Sequence, residues 1–154
     1  MTPFSRRSML ALMIASLTAC GRPERPDREA KDLYPNETPR IRFLIDKYAD
    51  QYQVPRSLVH RVVQRESQYN PAARHASYYG LMQIMPQTAR TMGHRGSPES
   101  LLDAETNLKY GVKYLRGAWM CADGSHDRAV MWYARGYYYE AKRRGILREV
   151  GLKA

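Results

Sequence analysis

The sequence predicts an all-α domain behind two N-terminal segments of different character. Three observations carry this. Apolar residues recur at helical spacing from Ile41 to beyond Leu115. Proline falls between these stretches or at their starts and not inside them. No sustained period-two run and no hairpin turn between β-branched runs appears. The chain has 154 residues, 44% of them hydrophobic, which suits one globular domain.

Residues 1–19 read as a targeting segment. Arg6 and Arg7 form a positive start, and Met9 to Ala19 is an uncharged apolar run. That run is too short to span a bilayer, which takes about 20 residues, and it fits the apolar part of a signal peptide. It ends Leu17-Thr18-Ala19-Cys20, which resembles the lipobox of bacterial lipoproteins. The resemblance implies cleavage before Cys20 and lipidation of its sulfur. The residue after Cys20 is Gly21 and not aspartate, which favours the outer membrane. Ser5 to Leu10 also partly resembles a twin-arginine export signal, so the export route stays open.

Residues 20–38 are rich in proline and charge and lack apolar periodicity. They read as the lipidated cysteine and a flexible tether. The folded domain is expected over residues 39–154. Thr38-Pro39 is a good helix start, and Ile41, Leu44, Ile45, Tyr48 and Ala49 follow at helical spacing. Val54-Pro55 separates a second helix, whose stripe of Leu58, Val59, Val62 and Val63 leads to Glu66. Asn70-Pro71 ends it. Gly80 to Met85 is a short apolar segment. Pro86 opens a short helix that stops at Gly93, and Ser97-Pro98-Glu99 caps a further turn. Asp103 to Ala122 is the longest helical pattern, with Leu108, Val112, Leu115 and Trp119 on one side. Asp127 to Ala134 and Tyr138 to Arg144 complete the set.

The net charge of +10 favours acidic polymers or anionic lipid surfaces. Nucleic acid is not expected as a partner, because there is no zinc-finger spacing, RNP-like box or heptad-bearing basic stripe. His60, His75, His94 and His126 are scattered, so no metal and no cofactor is expected, and no glycine-rich phosphate loop appears. Cys121, among Trp119, Met120 and Ala122, reads as a small packed hydrophobe.

Glu66 is the residue with chemical potential. A carboxyl against an aliphatic wall has its charged form disfavoured, so its pKa rises and it can act as a general acid. Ordinary glycoside hydrolysis uses two carboxylates, and no second acid stands near Glu66 in sequence. On the residues alone, a solvated glutamate at a helix end remains the simpler reading.

Three blocks add to this: Glu66 to Ala73 (E-S-Q-Y-N-P-A-A), Gly80 to Ala89 (G-L-M-Q-I-M-P-Q-T-A) and Leu101 to Leu115. They resemble, in order and spacing, the lytic transglycosylase SLT domain. The resemblance implies a compact, goose-type lysozyme-like multi-helix fold. It also implies cleavage of the β-1,4 bond between N-acetylmuramic acid and N-acetylglucosamine in peptidoglycan, without water, to a 1,6-anhydro end. It assigns catalysis to Glu66 alone. It places Ser67, Gly80, Met82, Gln83 and Tyr133 at the substrate, with Gly80 leaving room for sugar and Met82 and Gln83 lining the groove. Asn107 is expected to be structural. The implied partners are glycan strands and, through Cys20, a membrane, within the cell envelope. Service to wall turnover or to envelope and secretion machinery is left open. So are two alternatives: a non-catalytic peptidoglycan-binding lipoprotein and a hydrolytic muramidase. The chain departs from the family pattern twice. Ala134 stands where the family has asparagine, and the segment between Asn70 and Gly80 is about one residue short. The aromatic set Tyr78, Tyr79, Trp132, Tyr133, Tyr137, Tyr138 and Tyr139 suits either sugar stacking or packing.

Overall fold

The computed structural model describes residues 32–152. The segment read as a signal peptide, Cys20 and most of the stretch read as a tether lie outside the described residues. Helix α1, Pro39–Tyr52, starts where Thr38 Oγ1 accepts a 3.2 Å hydrogen bond from the Ile41 amide. Helix α2, Arg56–Ser67, follows a tight break and ends at Gln68 in the left-handed conformation. Helix α3 is Pro86–Thr91, and Pro98–Leu102 forms a 3-10 turn. Helix α4, Ala104–Met120, is capped by Asp103, whose carboxylate accepts from the Thr106 amide at 2.8 Å. Helix α5 is His126–Arg135, and α6 is Tyr138–Arg143. The fold is all-α, as the spacing predicts.

Helix α4 is the axis of the packing, with α1 and α5 against it. Leu108, Val112 and Leu115 are fully buried there, in one cluster with Leu44 and Ile45 of α1 and Leu58, Val59 and Val63 of α2. Burying one such side chain contributes about 1.5–3 kcal/mol, so this cluster is the main source of stability. A smaller cluster of Tyr79, Ile84, Ala89 and Leu101 lies beside it. Cys121 is buried in the main core.

Two features depart from the expectations. Strands β1 (Arg74–His75) and β2 (Tyr78–Tyr79) form an antiparallel hairpin between α2 and α3, with Arg74 opposite Tyr79 and His75 opposite Tyr78. Two-residue strands are too short to leave a period-two signature. The second departure lies within the stretch read as tether. Its last residues pack on the domain, and Glu37 is buried there in an ion pair with Arg42. Proline and charge hide this, because His60 and Tyr69, on which Tyr34 packs, lie far along the chain.

Candidate active site

The site is built at the C-terminal end of α2. The aliphatic face of that helix turns Val62 and Val63 into the core, which leaves the next turn at the core's edge. Glu66 sits there with its side chain 25% exposed. Burial pushes its carboxyl pKa above the usual value. Arg65, whose Nε lies 3.6 Å from Glu66 Oε1, opposes that shift less strongly. Arg65 is itself half exposed, so solvent screens its effect. Among the described residues no second carboxylate contributes to the shift. A raised pKa keeps more of the acid protonated toward neutral pH, while the exposed quarter of the side chain leaves it reachable.

The loop after β2 is tied to the residue beside this acid and to Tyr133. Ser67 Oγ approaches the Leu81 carbonyl at 2.8 Å and the Val63 carbonyl at 3.2 Å, and its one proton serves the pair. Tyr133 of α5 donates its hydroxyl to the Met82 carbonyl at 2.8 Å. Burial, and then the Glu66 charge, push the Tyr133 pKa well up, so the phenol stays a neutral donor beside the acid. Gln83, at φ 45°, donates from Nε2 to the carbonyls of Gly80 (2.9 Å) and Ala73 (3.1 Å). Asn107 of α4 is fully buried beneath the loop. Its Nδ2 donates to the Tyr79 and Leu101 carbonyls at 2.7 Å each, and its Oδ1 accepts from the Met82 amide at 2.9 Å.

The structure thus brings Glu66, Ser67, Gly80, Met82, Gln83 and Tyr133 into one neighbourhood, but it changes what several of them can do. Met82 does not line a groove. Its side chain is fully buried against Gly111, because the loop turns it inward under α4. Gly80 does not leave room for sugar. It is buried at φ 68°, and a Cβ there would lie 2.4 Å from Asn107 Nδ2 and 2.5 Å from the Leu101 carbonyl. The missing side chain makes space for the protein's own asparagine. Ser67 is committed to the loop carbonyls.

An open cleft of about 200 Å³ is lined by Gln87, Thr88, Tyr114, Gly136, Tyr138 and Leu152. Tyr114 meets Tyr133 edge to face at 5.4 Å and so joins this cleft to the neighbourhood of Glu66. Tyr114 falls within the third block, on α4 three residues after Gly111, and nothing in its sequence surroundings separates it from a core residue. Of the aromatic set, Tyr79, Tyr133 and Tyr137 are buried, while Tyr78, Tyr138 and Tyr139 are exposed. Ala134 and Arg135 are both exposed at the end of α5. Among the described residues no His, Cys, Asp and Glu cluster has the geometry to hold a metal ion, and no helix is long and apolar enough to cross a membrane.

Fold and site together define a small helical domain with a half-buried acid beside Tyr133, whose ring meets Tyr114 of a tyrosine-lined cleft. The family model described as the transglycosylase SLT domain matches residues 43–146. The chain belongs to that family. It is 41% identical over 80 residues to the membrane-bound lytic murein transglycosylase C of Haemophilus influenzae (strain PittEE), covering 47% of this chain and 22% of that protein. Against the soluble lytic murein transglycosylase of Escherichia coli (strain K12), identity is 35% over 80 residues, covering 47% and 12%. The crystal structure of the 70 kDa soluble lytic transglycosylase from Escherichia coli superposes with a TM-score of 0.57 at 29% identity. That match covers 70% of this chain and 18% of the other. The chain spans about a fifth or less of the length of these relatives.

Proposed function

We propose that this domain is a murein lytic transglycosylase. It cuts the β-1,4 bond between N-acetylmuramic acid and N-acetylglucosamine and leaves a 1,6-anhydro-N-acetylmuramic acid end. The carrying observation is that Glu66 is half-buried at the end of α2 with its pKa raised by burial, and that among the described residues no second carboxylate acts on it. Hydrolysis by paired carboxylates needs a partner acid; an intramolecular reaction does not. Protonated Glu66 gives its proton to the glycosidic oxygen as the C1–O bond breaks. The substrate's own N-acetyl group shields the oxocarbenium-like centre. The Glu66 carboxylate then takes the proton of the C6 hydroxyl as O6 bonds to C1. The acid returns to its starting state and no water is consumed. One group serves as acid and then base, which suits a raised pKa.

Around it, Ser67, Gly80, Met82 and Gln83 shape the loop that faces the sugar, and Tyr133 holds that loop by its carbonyl. Tyr114 and Tyr138 offer rings for sugar CH faces. Lipidation at Cys20 would anchor the domain in the cell envelope, at the outer membrane, facing the wall. The family membership and the relatives named murein transglycosylases support this reading.

The test is mass spectrometry of muropeptides released from purified sacculi. The expected products carry anhydro-muramyl ends, and they vanish in Glu66→Gln. Reducing ends would replace this reading with a hydrolytic muramidase. Binding without release would leave a peptidoglycan-binding protein.

A further inference from the structure

The turn that carries Glu66 ends in two consecutive left-handed residues, Gln68 at φ 51° and Tyr69 at φ 64°. For residues with a Cβ, each such conformation costs about 1–2 kcal/mol. It persists only where surrounding contacts hold it. Tyr69 supplies them. Its ring is 2% exposed, and its hydroxyl shares a 3.0 Å hydrogen bond with Nδ1 of His60. His60 lies on α2 itself, nine residues earlier. The Tyr69 side chain therefore folds back along the helix and pins the turn on which Glu66 and Ser67 sit.

The outer half of this pin comes from the end of the N-terminal linker. The Tyr34 ring stacks on Tyr69 at 5.7 Å and 14°, and on His60 at 5.0 Å and 39°. Glu37 has no exposed side-chain surface. Its carboxylate accepts from the Tyr34 amide (2.9 Å), Arg42 Nε (2.7 Å) and Arg42 Nη2 (2.6 Å). Arg42 Nη2 also donates to the Asp32 carbonyl at 3.0 Å, and its guanidinium lies 5.8 Å from the Tyr34 ring centre. His60 Nδ1 approaches Glu37 to 3.6 Å. Burial holds the imidazole pKa down, so this contact is dipolar and the charge on Glu37 is matched by Arg42. Five side chains from the linker, α1, α2 and the catalytic turn close into one cluster. A linker that only tethers has no need of a buried carboxylate.

We propose that Tyr34 and Glu37 are positioning residues: docked on His60 and Tyr69, they hold the turn that presents Glu66 and so couple the linker to the rate of glycan cleavage. This rests on Glu66 being the acid. The cluster holds the acid's turn and includes none of the cleft-lining side chains. Its loss therefore lowers kcat and leaves KM nearly unchanged. A small displacement of a catalytic group is enough for a large loss of rate.

The test uses the full chain with Tyr34→Ala and Tyr34→Phe. Soluble uncrosslinked peptidoglycan strands are the substrate, and amide hydrogen exchange is measured in parallel. Tyr34→Ala is expected to lose kcat by about fivefold or more with KM within about twofold, while Tyr34→Phe, which keeps the stacking ring, behaves as wild type. Exchange at the Gln68 and Asn70 amides is expected to speed up by about tenfold, with that at Leu115 in α4 unchanged. An unchanged kcat in Tyr34→Ala, or unchanged exchange at Gln68 and Asn70, overturns the proposal. Exchange that rises equally at Leu115 also overturns it, because the effect is then global loosening. If the wild type itself releases no anhydro products, the functional reading fails separately, and the exchange pattern alone decides whether the linker holds the turn.

Discussion

Replacing Asn107 by alanine tests how the loop over the acid is held. The side chain is fully buried and makes three hydrogen bonds of 2.7–2.9 Å. Truncation does not orphan the three partners equally. The Tyr79 carbonyl keeps a bond from the Ile84 amide at 3.1 Å. The Met82 amide has one proton and loses its acceptor, and the Leu101 carbonyl loses its short donor. An unsatisfied buried polar group costs about 1–3 kcal/mol, and the vacated space adds about 1 kcal/mol. With two such groups the expected loss is about 3–7 kcal/mol, a large share of the roughly 5–15 kcal/mol that holds a domain of this size together. At about 4 °C per kcal/mol, Tm should fall by about 12–28 °C.

Urea denaturation followed by circular dichroism measures this, with an unchanged m-value showing that the unfolded state is not what moved. Asn107→Asp sharpens the test. Aspartate is nearly isosteric, so packing alone predicts a milder loss than alanine. Hydrogen bonding predicts the reverse at neutral pH, because a carboxylate oxygen would then face the Tyr79 and Leu101 carbonyls where Nδ2 had donated. A loss below about 1.5 kcal/mol in Asn107→Ala, or a milder loss in Asn107→Asp, would refute the reasoning.

Three further outcomes follow from the same contacts. Glu66→Gln should be more stable than wild type at pH 7, measured by thermal melts across pH. The native pKa of Glu66 is raised by burial, so wild-type stability falls as pH rises from the ordinary carboxylate value through the native one, and the advantage of glutamine vanishes below that window. The proposed mechanism starts from protonated Glu66, so the kcat/KM profile should decline as pH rises through its pKa. Arg65→Ala removes the opposing cation and should move that decline to higher pH, with the two proteins converging at high salt. Tyr133→Phe leaves the Met82 carbonyl without its 2.8 Å donor and should cost about 1–2 kcal/mol in denaturant melts.

The helices are legible in the sequence because their ends are chemically marked. Thr38-Pro39, Pro86, Ser97-Pro98 and Asp103 each stand at the start of an element, where orphan amides need acceptors and proline costs nothing. The direction of the Glu66 shift is legible too, since an aliphatic helix face predicts burial. What the sequence hides are contacts whose two halves are far apart or whose backbone is irregular. The hairpin turns through Ala76 at φ 51°, with neither glycine nor asparagine to announce it. Tyr34 and Glu37 look like linker until His60 and Tyr69 are folded against them.

The G-L-M-Q-I block shows the deeper limit. Gly80, Met82 and Gln83 read naturally as sugar contacts because they stand beside the acid in the family pattern. In the fold, the first accommodates Asn107, the second fills the core under Gly111, and the amide nitrogen of the third ties the loop to itself. A loop bent through positive φ at Gly80 and Gln83 needs nearly every side chain to hold its shape. Residues that position an acid are therefore constrained as tightly as residues that touch its substrate, and a motif alone does not separate them. Burial and hydrogen-bond partners do: Gly80 and Met82 are buried, while Glu66, Tyr114 and Tyr138 keep exposed surface.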